Sequence, residues 1–359
     1  MSDKSNKRVV VAMSGGVDSS VSAALMKEQG YDVTGVSMQL YDPVTKTSPS
    51  SIKGSCSLDD VSDAERVANK LGIPFQILDL RAEFKKLVID YFITEYAAGR
   101  TPNPCIRCNN LVKFGLLLQK AEEIGAPTLA TGHYARVTRN DSGCFELRTG
   151  LDPRKDQSYF LFTLTQKQLA KIIFPVGFIE KQRVRELAES FALPVAQKHE
   201  SQEICFIPDN DYVNFLENNG VNQKVGDIVT TDGIVVGNHT GLHRFTIGQR
   251  KGMGIAWKNP LHVLKLDTEL NRVIVGEKRE LSHPALTANR ATWGTNPKKS
   301  EFRAICKIRY RHTPTPCTVL LLPDDRFQVN FDTPQSSVTP GQAAVLYDSD
   351  RVLGGGWIE

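Results

Sequence analysis

Three groups of residues in this sequence have the types and spacing needed for chemistry. The first is Ser14-Gly15-Gly16-Val17-Asp18-Ser19-Ser20. Its glycines let the backbone approach an anion closely, and its hydroxyls and helix-start amides can then hold phosphate. No lysine follows, so this is not the G-x-x-x-x-G-K-[ST] loop. The competing reading is a Gly-Ser turn in which Asp18 or Ser19 caps a helix. The second group is the C-x-x-C pair Cys105 and Cys108, inside Gly99-Arg100-Thr101-Pro102-Asn103-Pro104-Cys105-Ile106-Arg107-Cys108-Asn109. Prolines on both sides of Asn103 predict a rigid loop, with Cys108 near the start of the next helix. A helix start and the nearby Arg100 and Arg107 would both favour a thiolate. The alternatives are a buried cysteine used as a small hydrophobe, or half of a zinc site that lacks a second C-x-x-C. The third group centres on Cys205, which between Ile204 and Phe206 reads in isolation as a core cysteine.

These residues need a scaffold. Residues 8–13 form a short β-branched run, and a helix follows from about Asp18 to Gln29, stopped by Gly30. Strands are expected at 31–40, 73–80 and 128–131, and helices at 58–71, 84–98 and 113–124. Residues 41–56 read as a loop without apolar periodicity. The βαβα order predicts an α/β parallel sheet with helices on both faces. A hairpin is expected at 137–149, and helices return at 165–173 and 180–191. After residue 217 the pattern changes to short strands separated by Gly, Asn and Asp. Three domains are therefore expected: 1–217 catalytic, 218–284 small and β-rich, and 285–359 a C-terminal β-barrel.

Composition bounds the rest. The 359 residues exceed one ordinary domain, and the net charge of +4 permits a nucleic-acid partner without demonstrating one. No apolar run reaches the ~18 residues of a membrane span, and the N-terminus lacks the pattern of a cleaved leader, so a cytoplasmic protein is expected. Seven cysteines, an odd number, argue against a disulfide scaffold. Residues 298–311 carry six basic side chains, including Arg309, against one acid, with Tyr310 among them. On a strand these would share a face suited to phosphates, with Tyr310 placed to stack on a base. A solvated basic face is the alternative.

The loop at Ser14–Ser20 resembles the SGG-x-DS PP-loop of ATP pyrophosphatases, which cleave ATP between its α and β phosphates. The chain as a whole resembles the bacterial tRNA-specific 2-thiouridylase family. The matching segments are AMSGGVDSS (12–20), GRTPNP-x-x-x-CN (99–109), ATGHYAR (130–136), KDQSYFL (155–161), FPVG (174–177), ICFI (204–207), TIGQRKG-x-GI (246–255), IRYRHTPTPCTV (308–319) and VTPGQAAVLY (338–347).

The resemblance implies ATP-dependent 2-thiolation of the wobble uridine in tRNAs that read Lys, Glu and Gln codons. It implies that Ala12, Met13, Ser14, Gly15, Gly16, Val17, Asp18, Ser19, Met38 and Gly132 hold ATP, with Asp18 helping to hold Mg²⁺. Cys205 would receive sulfur as a persulfide, and Cys108 would complete the transfer through a disulfide with Cys205. Asn103, Pro104 and Cys105 would face the target base. His133, Lys155, Asp156, Gln157, Arg309, Tyr310 and Gln342 would contact tRNA. A cysteine desulfurase or a persulfide carrier would supply the sulfur.

One position departs from the family. Many relatives carry Asp where this chain has Cys105, and a thiol near 8.5 cannot inherit the proton role of a carboxylate near 3.9. The substitution opens an alternative in which Cys105, Cys108 and Cys205 hold a [4Fe–4S] cluster that delivers the sulfur. Two rival classes also remain. Another PP-loop ATP-dependent ligase would explain Ser14–Ser20 but not the cysteines, and a tRNA- or metal-binding module would leave the PP-loop without a use.

Overall fold

A computed structural model describes residues 7–41, 58–199, 204–207 and 210–359. Cys56, nearly all of the loop expected at 41–56, and residues 200–203 and 208–209 lie outside the described residues. The first part of the chain runs β1 (Arg8–Ala12), α1 (Val17–Glu28), β2 (Asp32–Gln39), α2 (Leu58–Leu71), β3 (Phe75–Asp79), α3 (Arg81–Phe84), a π-helical turn (Lys85–Ile89) and α4 (Asp90–Ala97). It continues with α5 (Pro104–Arg107), a π-helix (Cys108–Leu117), α6 (Leu118–Glu123), β4 (Thr128–Thr131), β5 (Ala135–Arg139), β6 (Phe145–Thr149), α7 (Gln166–Leu169), β7 (Ile172–Ile173), α8 (Lys181–Ser190) and α9 (Tyr212–Asn218). The remainder is almost entirely strands: β8 (Gly226–Thr230), β9 (Val235–His239), β10 (His262–Asp267), β11 (Arg272–Gly276), β12 (Ser282–Trp293), β13 (Glu301–Lys307), β14 (Thr315–Leu322), β15 (Arg326–Ser336), β16 (Ala343–Asp348) and β17 (Arg351–Ile358). No helix of the described residues is long and apolar enough to cross a membrane.

The chain packs as two compact units. The first comprises residues 1–89, 105–210 and 350–352; the second comprises 90–104, 211–349 and 353–359.

The first unit is built on a parallel sheet of order β3-β2-β1-β4-β7. Val9, Val10 and Val11 of β1 are fully buried, as expected for a strand covered on both faces. The core around Val9 and Val11 includes Val21 and Met26 of α1, Ala64 and Val67 of α2, and Val184 and Ala188 of α8. Strand order reverses between β1 and β4. Such a switch point leaves a crevice at the carboxyl ends of the strands, where ligands bind in open α/β sheets. The hairpin β5–β6 belongs to the same unit, and Asp350 closes it by accepting from Arg136 and Arg148, both at 2.7 Å.

The second unit contains a four-stranded sheet, β10-β11-β8-β9, with its own small core of Ile228, Val263, Val273 and Val275. It also contains a barrel of order β12-β15-β14-β13-β16-β17, closed by pairing of β12 with β17. Cys306, Cys317, Val319, Phe327 and Val329 fill the barrel. The α/β sheet, the small β-rich sheet and the terminal barrel match the fold class expected from the sequence.

Candidate active site

The segment between β1 and α1 lies at the switch point. Helix α1 begins at Val17 with Gly16 as its N-cap, and no side chain caps it. Neither Asp18 nor Ser19 is the cap, so the first amides of the helix are left for an anion. The serines brace the loop from within. Ser19 Oγ donates to the Gly16 carbonyl at 3.1 Å and accepts from the Ser14 amide at 3.2 Å, while Ser20 Oγ donates to Gly16 O at 2.8 Å. Ser20 is fully buried, which makes it a brace. Gly15 has a φ of +71°, and a Cβ there would fall 2.1 Å from the Asp60 carbonyl oxygen. Gly132, just past β4, is equally constrained: its Cβ would fall 2.7 Å from Ser19 N. Ala12 ends β1 and Met38 is the next-to-last residue of the neighbouring β2, and Met13 N donates to Val36 O at 2.8 Å. Strand topology therefore brings Ala12–Ser19, Met38 and Gly132 to one end of the sheet.

Three residues that sequence reading passed over complete this end. Asp18 Oδ1 accepts from Tyr134 Oη at 2.7 Å and from Lys181 Nζ at 2.6 Å. Lys198 Nζ donates to Gly15 O at 3.1 Å and pairs with Asp60 at 2.7 Å and with Asp63. Desolvation works against the Lys198 ammonium, but Asp60 and Asp63 hold its pKa above the ordinary value. Tyr134 lies inside the ATGHYAR segment, whereas Lys181 and Lys198 carry no local signal. Asp18 is a single carboxylate, and among the described residues no three His, Cys, Asp or Glu converge to hold a metal. That donor set suits an Mg²⁺ shared with substrate phosphates, which needs only one or two protein carboxylates.

The cysteine segment differs from expectation. Residues 104–109 are helical, because a proline is tolerated at the first position of a helix. Cys108 therefore lies a turn inside the helical segment. Neither expected cation serves it. Arg107 Nε donates to Leu87 O at 3.0 Å, and Arg100 makes two bonds to Glu95 at 2.7 and 2.8 Å. Desolvation raises the Cys108 thiol above its ordinary pKa, and Lys113 opposes it. Cys105 keeps exposed surface. Desolvation and then Cys108 push its thiol up to about 11, again against Lys113. In a π-helix the hydrogen bonds join residues five apart, so Lys113 closes the turn that Cys108 opens. An α-helical reading would have put Val112 there.

His133 belongs to the same neighbourhood. Its Nδ1 bonds Thr131 Oγ1 at 2.7 Å, and its ring meets Phe114 and Phe174 at centroid distances of 5.7 and 5.8 Å. Burial, reinforced by Lys113, pulls its pKa well below 6.5, so the imidazole is neutral. Cys205 is partly buried in the described stretch 204–207, which is anchored by Phe206 edge-on to Phe84 at 5.7 Å. Cys105, Cys108 and Cys205 are all free thiols, and among the described residues no group of three or more His, Cys, Asp or Glu could hold a metal ion.

The remaining expected contacts divide by environment. Asp156 is buried: Oδ1 accepts from Gly150 N and Ser158 N, and Oδ2 accepts from Ser158 Oγ. Gln157 clamps the Tyr134 backbone from both sides, at 3.1 and 2.8 Å. Lys155, beside them, keeps a partly exposed side chain. In the second unit, Gln342 Nε2 donates to Thr101 O at 2.8 Å, and Thr101 N donates to Pro340 O at 2.9 Å. These bonds fix the segment that carries Asn103 and Pro104. The basic run is only partly a strand. β13 ends at Lys307, Arg303 is consumed by Asp332, and Arg309 and Arg311 stand exposed in the turn beyond. Tyr310 lies in that turn with Lys307 Nζ 5.9 Å from its ring centre.

Comparison with known proteins follows this layout. The tRNA methyl transferase HUP domain family matches residues 7–209, its PRC-barrel domain family matches 213–277, and the aminomethyltransferase beta-barrel domain family matches 283–358. The chain is 57% identical to the tRNA-specific 2-thiouridylase MnmA of Geobacter metallireducens over 100% of this chain and 98% of that one. It is 54% identical to the protein of the same name from Geotalea uraniireducens, over 98% and 95%. A 4-thiouridine synthetase–RNA complex with bound ATP is a distant structural neighbour, at 18% identity and a TM-score of 0.34 over 59% of this chain and 50% of that one. With a phosphate-ready loop at the switch point, a C-x-x-C helix in the same unit and full-length likeness to the Geobacter and Geotalea proteins, the chain belongs to the tRNA-specific 2-thiouridylase family.

Proposed function

We propose that this protein uses ATP to replace the O2 oxygen of a tRNA uridine with sulfur, the target being the wobble uridine of tRNAs for Lys, Glu and Gln. The observation that carries this reading is the uncapped helix start behind Ser14–Gly16, placed at the sheet's switch point in a chain with full-length likeness to tRNA 2-thiouridylases.

The chemistry has two stages. ATP lies on the loop 12–19, against Gly132 and Met38. The uridine O2 attacks the α-phosphorus, and pyrophosphate leaves. A carbonyl oxygen that leaves poorly becomes part of AMP, which leaves well. Mg²⁺ bound to the phosphates beside Asp18 would neutralise charge developing on pyrophosphate. The terminal sulfur of a Cys205 persulfide then attacks C2 and displaces AMP. Cys108 attacks Cys205 Sγ, which breaks the S–S bond, frees 2-thiouridine and leaves a Cys108–Cys205 disulfide. A thiol reductant must reduce that disulfide by two electrons before the next cycle. A cysteine desulfurase or persulfide carrier would load Cys205. The persulfide route needs only Cys205 and Cys108, and no step is routed through a cluster.

For tRNA recognition we assign Asn103, Pro104 and Cys105 to the target base, with His133, Lys155, Arg309 and Tyr310 as further contacts. Neutral His133 within its aromatic surroundings suits packing or hydrogen bonding more than a phosphate ion pair. Asp156, Gln157 and Gln342 would act by shaping the backbone around them.

The test is a reaction of the purified chain with ATP, Mg²⁺, unmodified tRNA and a persulfide-loaded donor. AMP and 2-thiouridine are expected in equal amounts, and neither should form without tRNA. Pyrophosphate release without tRNA would instead favour another PP-loop ligase.

A further inference from the structure

The reaction proposed above requires a polyphosphate to settle where a carboxylate already stands. Asp18 is in the first turn of α1, where the helix dipole and unpaired amides favour an anion. Its own charge repels that anion. The structure places a cation against it: Lys181 Nζ is 2.6 Å from Oδ1, and the side chain of Lys181 is only 9% exposed. Two features make Lys181 a poor choice for stability alone. Desolvating an ammonium costs more than an ion pair usually returns. The residue also occupies the first turn of α8, where the dipole disfavours a cation. Helix α8 draws its stabilising negative charge from elsewhere, since Asp152 Oδ2 accepts from the Lys181 amide at 3.3 Å. Tyr134 contributes a neutral donor to the same Asp18 oxygen and lies 5.7 Å beneath the Lys181 ammonium, ring centre to nitrogen.

We propose that Lys181 is a positioning residue for nucleotide: it cancels the charge of Asp18 and fixes the carboxylate's orientation, so that the loop before α1 accepts the ATP polyphosphate even before a metal arrives. The inference rests on the ATP-dependent reading of the site. It gives Lys181 a role exerted through Asp18, distinct from direct contact with phosphate. The two roles make different predictions when Asp18 is neutralised.

The experiment is calorimetric binding of ATP to the full-length chain, without tRNA, in EDTA and then in excess Mg²⁺. In EDTA, Lys181→Met is expected to weaken binding about tenfold, and Lys181→Arg to stay within about threefold of wild type. Excess Mg²⁺ should recover much of the Lys181→Met loss, because the ion screens the exposed carboxylate. Asp18→Asn should bind ATP in EDTA at least as tightly as wild type. The double variant Asp18→Asn with Lys181→Met should bind like Asp18→Asn alone. Wild-type affinity in Lys181→Met, weaker binding by Asp18→Asn in EDTA, or an undiminished Lys181→Met loss in the Asp18→Asn background would each overturn the proposal. If Lys181→Met does not fold, Asp18→Asn and the double variant still decide it. Failure of the wild-type chain to bind ATP at all would instead sink the ATP-dependent reading itself.

Discussion

Tyr134 and Asp18 are 116 residues apart in sequence, yet the tyrosine hydroxyl donates to the aspartate Oδ1 at 2.7 Å. The bond ties the residue after the β4 turn to the first turn of α1, and Gln157 holds the Tyr134 backbone in place. Tyr134→Phe removes one donor to a charged acceptor without changing the packing of a ring that is almost fully buried. The expected cost is about 1 kcal/mol of folding stability. KM for ATP should rise several-fold while kcat changes little. Denaturant titration and steady-state kinetics check both, and an unchanged KM would separate Tyr134 from the nucleotide site.

Gly132→Ala is the sharper perturbation. Its Cβ would meet Ser19 N at 2.7 Å and Asp18 C at 2.8 Å, both backbone atoms that cannot swing away. Over-packing of this kind costs about 1–3 kcal/mol, and here the strain falls on the helix start that would face phosphate. ATP binding should be lost before the fold is. A variant that binds ATP normally would show that β4 and α1 separate more easily than their contact implies.

Lys113→Met tests the π-helical register. Lys113 lowers the pKa of both the Cys108 thiol and the His133 imidazole, in each case after desolvation as the largest influence. Removing one ammonium should therefore raise both values. At any pH below its pKa, Cys108 would hold less thiolate, and iodoacetamide alkylation would slow by roughly tenfold if the pKa rose by about one. His133 would titrate nearer to neutrality in an NMR pH series. Movement of only one of the two groups would mean that Lys113 does not sit between them.

Cys205→Ser separates the two stages. Pyrophosphate should still be released in the presence of tRNA, with AMP left on the uridine, while 2-thiouridine falls below detection. Normal thiolation by this variant would remove Cys205 from the sulfur path and reopen the role of Cys105.

Much of the scaffold is readable from local pattern. The valine run of β1, the glycines after it and the amphipathic α2 each carry their own signal, and together they place the loop at the end of a parallel strand. Chemistry assembled by topology is not readable. Lys181 reaches Asp18 across 163 residues, and nothing in the sequence around Lys181 distinguishes it from a surface lysine. The prolines at 102 and 104 read as loop formers, although Pro104 opens a helix, and the register of Cys108 and Lys113 follows from that difference. Basic residues near 298–311 look equivalent in sequence, but Arg303 lies on a strand and pairs with Asp332, while Arg309 and Arg311 lie exposed in the turn beyond it. The buried acceptor role of Asp156 is equally hidden, because its three partners are set by the fold of a short loop.

Asp350, nine residues from the end of the sequence, carries a practical consequence. It accepts from Arg136 and Arg148 and receives the Thr149 amide through its carbonyl, so it is part of the first unit. Residues 90–104 make the opposite excursion and belong to the second unit. Each body is thus assembled from non-contiguous stretches of chain, and no single cut in the gene yields either one whole. A fragment ending at residue 210 would keep two guanidinium groups whose shared counter-ion had been left behind. Ribosomal synthesis meets the same constraint: the hairpin that bears Arg136 and Arg148 emerges some two hundred residues before the carboxylate that completes it.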